Sequence, residues 1–295
     1  MSESTEYKYL PAWLADSLAN VKIRAVKSLS GGMQGPHKSN YFGSSVEFAE
    51  YRQYAHGDPV SLIDWAVYAR SDKHVIRRHQ EEISIRAFVL LDTSESLALK
   101  ELGPMSKMDY ACHLAAGVMY LLARQRDSVG LITFDSEVRT ALEPVRGFSG
   151  LRSHLLALEE LKPRGRSDLE VALDRAADLL PAKCLLILIS DLLAAPEVVL
   201  KSVRRLHHRG HETIVFQVLD AAELSLGMTG LNELRELETG SRMLIDADEL
   251  RDAFQAAVER YLEELSAGFS QIPAAYVLAD TRTAVSEVLA KCSHL

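Results

Sequence analysis

The distribution of apolar residues changes character near residue 84. From there on, apolar runs of strand length alternate with segments whose apolar residues recur at helical spacing. The predicted strands cover residues 85–91, 129–134, 138–142, 184–189, 213–219 and 274–278. The predicted helices cover residues 107–124, 151–161, 168–180, 196–209 and 247–265, followed by a last helix. This alternation is typical of an α/β fold, so we expect a doubly wound, mostly parallel sheet flanked by helices over residues 84–295.

The first 83 residues follow no such alternation. Glycine-rich and aromatic-polar segments between residues 28 and 59 predict short strands and turns, and a short helix over residues 61–70 is expected to be capped by Ser61. We therefore expect a β-rich N-terminal extension over residues 1–83. Its charged residues are interpreted as ion-pair partners that fix the extension to the main sheet, namely Arg52, Asp58, Asp64 and Arg70.

Polar side chains follow the predicted strands at the end where a parallel sheet binds its ligands. Asp92, Ser94 and Ser96 come directly after strand 85–91, and Asp191 follows strand 184–189 after one serine. Ser167 lies in the loop before helix 168–180. If the two strands are neighbours, their carboxylates converge, and a divalent cation would relieve the repulsion between them. The oxygen ligands suit a hard ion, so we predict a site for Mg²⁺, with Mn²⁺ or Ca²⁺ as alternatives.

The five residues are expected to have different roles in binding the ion. Ser94 and Ser96 are short and neutral and can bind the ion directly, and Ser167 can supply a third hydroxyl. Asp92 and Asp191 can act through water or orient the hydroxyls. An ion with largely neutral ligands keeps positive charge, which favours an anionic ligand such as a carboxylate from another protein.

Each of these residues also has a simpler interpretation. Ser167 followed by Glu170 forms the S-x-x-E pattern of a helix capping box. Ser94 and Ser96 could cap or turn the chain, and an aspartate at a helix N-terminus is favoured by the helix dipole. These alternatives stay open at the level of the sequence.

Charge and composition narrow the function classes. The net charge is −8; residues 1–86 carry 11 Lys and Arg against 10 Asp and Glu, and the remainder carries 22 against 31. This balance argues against a nucleic-acid partner, which requires a basic face. The longest apolar run, residues 184–189, is too short to span a membrane. Three cysteines without a pairing pattern favour a reducing compartment, so we expect a cytoplasmic location with no membrane span.

The series Asp92-x-Ser94-x-Ser96, a later hydroxyl residue and a later strand-end aspartate resembles the metal-ion-dependent adhesion site of von Willebrand factor type A domains. The resemblance spans about residues 84–295. It departs at Arg166-Ser167, where that family usually has Gly-Thr, so Arg166 places a positive charge beside the proposed ion.

The segment from Glu47 to Asp58, with Ile63-Asp-Trp65, Ala69-Arg70 and Glu81-Glu82, resembles the family called domain of unknown function 58. Its members combine this signature with a type A-like domain. Relatives are commonly encoded near MoxR-type AAA+ ATPases, which implies a role as adaptor or chaperone partner of such an ATPase.

Three functional hypotheses follow. The first is a non-enzymatic, metal-dependent protein-interaction module. The second is a metal-assisted hydrolase of phosphatase type with Asp92 as nucleophile, although Ser94 stands where aspartyl phosphatases of the haloacid dehalogenase type have a second aspartate. The third is a scaffold whose site has lost its metal.

Overall fold

A computed structural model describes residues 7–23, 46–55, 58, 60–81, 85–235 and 241–292 of the chain. The strands and turns predicted between residues 28 and 45 lie outside these ranges. The described residues form two units, one of which comprises residues 1–29 with 85–295 and the other residues 30–84. Residues 7–23 of the predicted N-terminal extension therefore belong to the larger unit.

Helices and strands alternate through most of the chain. The α-helices are α1 (Ala12–Ser17), α2 (Trp65–Ser71), α3 (Lys107–Arg124), α4 (Gly147–Glu160), α5 (Leu169–Leu179), α6 (Pro196–His208), α7 (Ala221–Leu224), α8 (Ala247–Phe269) and α9 (Val285–Lys291). The strands are β1 (Val46–Gln53), β2 (Val75–Glu81), β3 (Arg86–Asp92), β4 (Ser128–Phe134), β5 (Val138–Arg146), β6 (Leu185–Ser190), β7 (Glu212–Leu219), β8 (Leu231–Arg235), β9 (Arg242–Asp246) and β10 (Ala274–Asp280). Short 3-10 turns cover Val60–Leu62 and Glu95–Ala98.

The larger unit is built on a six-stranded sheet with the order β10-β7-β6-β3-β4-β5. All neighbouring strands are parallel except β5, which runs antiparallel to β4 at one edge. Within this sheet the chain enters at the central strand β3 and adds β4 and β5 on one side of it. It then crosses over and forms β6, β7 and β10 on the other side. The doubly wound α/β architecture expected from the sequence is thus confirmed. The reversal of direction beside β3 is the place where such sheets bind ligands.

The central strands are buried on both faces, which explains their continuous apolar sequences. Val89 and Leu91 of β3 face the cluster formed with α3, α4 and α9, whereas Phe88 and Leu90 face the cluster formed with α5, α6 and α8. Successive side chains of a strand point to opposite faces, so one uninterrupted apolar run serves two cores. Within the described residues, no helix is both long and apolar enough to span a bilayer.

Short elements account for the differences from the sequence-based expectation. The helix expected over residues 61–70 begins at Trp65, and its cap is Asp64, whose carboxylate accepts from the amides of Ala66 and Val67 at 3.0 and 3.2 Å. Ser61 belongs instead to the preceding 3-10 turn. Helices α1 and α7 and the β8–β9 hairpin were not expected, because each is too short to show a period. Helix α1 is held by Leu14, which is fully buried in the core of the larger unit.

The smaller unit contains the antiparallel pair β1–β2 and helix α2. Arg52 and Asp58 form an ion pair at 2.8 Å inside this unit, and Asp58 also accepts from the amide of Ala55. Arg70 donates from Nε to the carbonyl of Ala66 in its own helix. These bonds lie within the smaller unit, and the role of the four charged residues in fixing the extension to the main sheet stays a prediction.

Gly130 lies where β4 approaches its neighbours too closely for a side chain. A Cβ at this position would lie 2.6 Å from the ring of Phe88 and 2.8 Å from the backbone carbonyl of Leu142. A backbone atom of a paired strand cannot move away cheaply, so Gly130→Ala should lower the free energy of unfolding by about 1–3 kcal/mol in urea denaturation. Ser149→Ala, an exposed change on α4, serves as control and should have little effect. Equal unfolding midpoints for the two variants would contradict the predicted crowding.

Candidate functional site

The end of β3 carries the first three predicted site residues into a tight turn. The amide of Ser94 donates to Asp92 Oδ1 at 2.9 Å, which folds the chain back directly after the strand. Thr93 is tied to the end of β4, because its amide and its hydroxyl both donate to the carbonyl of Phe134, at 2.7 and 2.9 Å. The 3-10 turn Glu95–Ala98 then brings Ser96 beside Ser94, and their hydroxyl oxygens are hydrogen-bonded at 3.1 Å. Asp92 thus shapes the turn that presents both serines.

The neighbouring strand β6 supplies the second group. Because β3 and β6 are paired in parallel, with Leu91 opposite Ile189, their last residues meet at one edge. Ser190 Oγ donates to Asp92 Oδ2 at 2.7 Å, and Ser96 Oγ donates to Asp191 Oδ2 at 2.7 Å. The two strand ends are therefore cross-linked by side chains.

The loop before α5 supplies the third group. Ser167 Oγ donates to Asp92 Oδ2 at 3.4 Å. The loop is held there by backbone bonds, since the amide of Arg164 donates to the carbonyl of Thr93 and the carbonyl of Gly165 accepts from the amide of Glu95, both at 2.9 Å. Gly165 has φ +71°, a conformation that glycine adopts without strain. All five residues predicted from the sequence are brought together; their role as metal ligands stays a prediction.

The capping interpretations of these serines find no support in the geometry. The cap of α5 is Asp168, whose carboxylate accepts from the amide of Val171 at 3.1 Å. Glu170, the other half of the proposed capping box, pairs with Lys201 and Arg205 of α6. Ser94 occupies the capping position of the 3-10 turn, but its side chain makes no capping hydrogen bond.

A buried lysine is the functional residue that the sequence analysis missed. Lys107, at the start of α3, has no exposed surface, and its Nζ donates to Asp191 Oδ2 at 2.8 Å and to Glu223 Oε1 at 2.7 Å. Burial alone would lower the pKa of Lys107, but the two carboxylates raise it above its usual value. The pattern offered no signal for this residue, because a lysine in the first turn of a helix is normally solvated.

Helix α7 holds Glu223, the second partner of Lys107, in position. Glu223 belongs to α7, whose cap Asp220 accepts from the amides of Leu102 and Gly103 at 3.0 Å each. The loop after the serine turn is therefore fixed to the end of β7. Ser190, the serine between strand 184–189 and Asp191, was given no role from the sequence but donates to Asp92 at 2.7 Å.

The charges in the cluster are not balanced evenly. Asp191 has the ammonium of Lys107 as partner, whereas Asp92 forms no ion pair with any described residue. Asp92 is fully buried, and burial together with the neighbouring charge of Asp191 raises its pKa to about 7. The carboxylate of Asp92 therefore lacks a positively charged partner among the described residues.

The donor set fits a hard cation. Its atoms are carboxylate and hydroxyl oxygens from Asp92, Ser94, Ser96, Ser167 and Asp191, which are the ligand types that Mg²⁺ accepts. In the part of the chain that the structure describes, no three His, Cys, Asp or Glu side chains gather as a metal-ligand cluster. An ion at this place would thus depend on the serine hydroxyls.

Asp92 should make stability depend on pH in metal-free buffer. With a folded-state pKa of about 7 against an ordinary 3.8, the native protein holds a proton that the unfolded chain releases. Its stabilising contribution is complete below about pH 4 and is lost as the pH rises to about 7, with an upper bound of about 4 kcal/mol. The difference in unfolding free energy between wild type and Asp92→Asn, measured in EDTA from pH 4 to 8, should therefore shift in favour of the variant. Asp252→Asn, an exposed change on α8, should show no such trend; a flat difference for Asp92→Asn would refute the buried charge.

Lys107 should be a large single contributor to stability. Lys107→Met leaves Asp191 and Glu223 without their shared cation, and breaking a buried ion pair costs about 3–5 kcal/mol. Lys201→Met breaks an exposed pair with Glu170 and should cost about 0–1 kcal/mol. Urea denaturation of both variants tests this difference. Adding Asp191→Asn and Glu223→Gln to Lys107→Met should restore much of the loss; similar costs for the two lysine variants would contradict the assignment.

Comparison with known proteins places the chain in a family. The model described as "Protein of unknown function DUF58" matches residues 50–264. A Mycobacterium tuberculosis protein described as uncharacterized is 26% identical over 257 residues, which cover 86% of this chain and 80% of that protein. Among solved structures, the conserved hypothetical protein BatB from Bacteroides thetaiotaomicron is 18% identical with a TM-score of 0.44, covering 72% of this chain and 100% of that one. The SpRpn10 VWA domain is 11% identical with a TM-score of 0.42, covering 71% of this chain and 94% of that one. Because the family model matches more than half of the residues, the chain belongs to the family of proteins of unknown function DUF58.

Proposed function

We propose that the protein is a non-enzymatic, metal-dependent protein-interaction module. The cluster would hold one divalent cation, most readily Mg²⁺, with Mn²⁺ or Ca²⁺ as alternatives, and the ion would bind a carboxylate of a partner protein. Ser94, Ser96 and Ser167 are the residues suited to direct ligation, and Asp92 and Asp191 are suited to orient them or to act through water. The observation that carries the proposal is the buried carboxylate of Asp92, which forms no ion pair with a described residue and accepts from the hydroxyls of Ser167 and Ser190 and from the amide of Ser94.

The charges around the cluster favour an acidic partner once an ion is bound. Asp92, Asp191 and Glu223 against the ammonium of Lys107 leave two net negative charges, which a divalent ion would neutralise, so that nearby arginines would no longer be opposed. Arg164 and Arg166 are exposed in the loop that carries Ser167. Their positive charge would attract an acidic side chain to the same edge of the sheet.

The partner that the resemblance implies is a MoxR-type AAA+ ATPase. In this role the protein would act as adaptor or chaperone partner, with the ion as the contact point for an acidic residue of the ATPase. Such a contact would be reversible, because removal of the ion removes the contact.

A hydrolase that uses Asp92 as nucleophile is the alternative. The hydrogen bonds of Asp92 speak against it, since Oδ1 accepts from the amide of Ser94 and Oδ2 accepts from Ser190 and Ser167. A nucleophile must instead present one oxygen in line with the leaving group. Turnover of a generic phosphomonoester with Mg²⁺ that Asp92→Asn abolishes would overturn the non-enzymatic proposal.

Metal and partner binding can be tested together. Titration calorimetry with MgCl₂ should give saturable binding to wild type and at least about tenfold weaker binding to Ser94→Ala/Ser96→Ala, because the direct ligands are gone. A purified MoxR-type AAA+ ATPase should be retained by the immobilised wild type in Mg²⁺ but not in EDTA.

The matched control is Ser149→Ala/Ser153→Ala, which removes two hydroxyls from the exposed side of α4. It should behave as wild type in both measurements. Absence of metal binding in wild type would support a scaffold without metal instead. Metal binding without retention of the ATPase would reject that partner and leave the ion site standing.

A further inference from the structure

A cavity of about 480 Å³ opens beside the site. Its walls come from the ends of β4 and β5, from the last turns of α4 and from the segment that follows α4 up to Arg164. Part of its lining is apolar and includes Leu131, Leu142 and Leu161. The volume lies in the range of small-molecule sites in proteins.

The lining also includes three threonines, of which Thr133 and Thr140 lie beside the leucines on the same face of β4 and β5, and Thr93 follows β3. Thr133 has no exposed surface, and its hydroxyl finds no hydrogen-bond partner among the described residues. A buried polar group left unpaired costs about 1–3 kcal/mol, so such groups are rare unless a ligand or water satisfies them. A ligand in this cavity could therefore form the hydrogen bond that the hydroxyl of Thr133 lacks.

The rim of the cavity is positively charged. Arg139, Lys162 and Arg164 line it, against a single carboxylate from Glu160. Arg139 is already held by Asp135 and Glu137, at 2.6 and 3.0 Å.

The other two cations differ from Arg139. Lys162 and Arg164 are exposed, and the side chains of both make no hydrogen bond or ion pair within the described ranges. Two such cations at the mouth of a half-apolar cavity favour a ligand with a compact negative charge at one end.

We propose that this cavity binds a small organic phosphate, with the phosphate between Lys162 and Arg164 and the organic part against the leucines. Inorganic phosphate alone would leave the apolar lining and most of the volume unused. A neutral ligand would leave the two cations without a partner. Phosphate binding here would not depend on metal binding, because Lys162 and Arg164 are not among the residues that would hold the ion.

The position of the cavity links it to the neighbouring turn. Thr93 stands between Asp92 and Ser94, and its carbonyl accepts from the amide of Arg164 at 2.9 Å. A ligand that holds Thr93 and Arg164 would thus steady both the serine turn and the loop that carries Ser167.

The binding test uses the full chain in EDTA. Titration calorimetry with phenyl phosphate, inorganic phosphate and phenol separates the charged and the organic parts of the ligand. We expect saturable binding of phenyl phosphate below about 10 mM, at least about tenfold weaker binding of inorganic phosphate, and no measurable binding of phenol. No saturation by phenyl phosphate, or equal affinity for inorganic phosphate, would overturn the proposal.

Variants locate the ligand. Lys162→Ala/Arg164→Ala should weaken phenyl phosphate binding at least about tenfold, whereas Arg152→Ala/Arg260→Ala, which removes the same charge from exposed helix positions, should not. Thr133→Val should raise the unfolding midpoint, because it removes an unpaired buried hydroxyl, and should weaken phenyl phosphate binding as well. Equal losses for the two double variants would show general attraction to positive charge and would reject this cavity as the site.

Discussion

The carboxylate of Asp92 is the group on which the site depends. It accepts from the amide of Ser94, from the hydroxyl of Ser190 and from the hydroxyl of Ser167, and so joins the end of β3, the end of β6 and the loop before α5. Each of these segments is separated from the next by many residues in the chain. A carboxylate buried at this point is costly, because it loses its hydration and forms no ion pair with a described residue.

Lys107 supplies a positive charge to only one of the two aspartates, Asp191. Its ammonium balances Asp191 and ties it to Glu223 of α7, so the serine turn, the end of β6 and the end of β7 form one polar network. Asp92 has only hydroxyl and amide donors. The asymmetry between the two aspartates is the physical basis for proposing an exchangeable cation on one side and a fixed, covalently tethered one on the other.

The loop between α4 and α5 serves two neighbouring features. Arg164 lines the cavity and is bonded through its amide to Thr93, while Ser167 three residues later reaches Asp92. Asp135 at the end of β4 supports the loop, since its carbonyl accepts from the amide of Asp168 and its carboxylate holds Arg139. A change in the position of this loop would therefore alter both the candidate cation site and the cavity.

The sequence by itself determined the sheet and the approach of the two aspartates. The interiors of strands β3 and β6 are apolar and both strands end in polar residues, and the parallel arrangement that such strands favour brings their carboxyl ends to one edge. Local patterns could not determine the cap of α5, since Ser167 and Asp168 are both good capping residues. The choice depends on the loop position, which backbone bonds to Thr93, Glu95 and Asp135 hold. The burial of Lys107 and the shape of the cavity were likewise decided by tertiary structure. Lys107 meets partners 84 and 116 residues away, and no pattern within one helix records which distant carboxylates will pack against it.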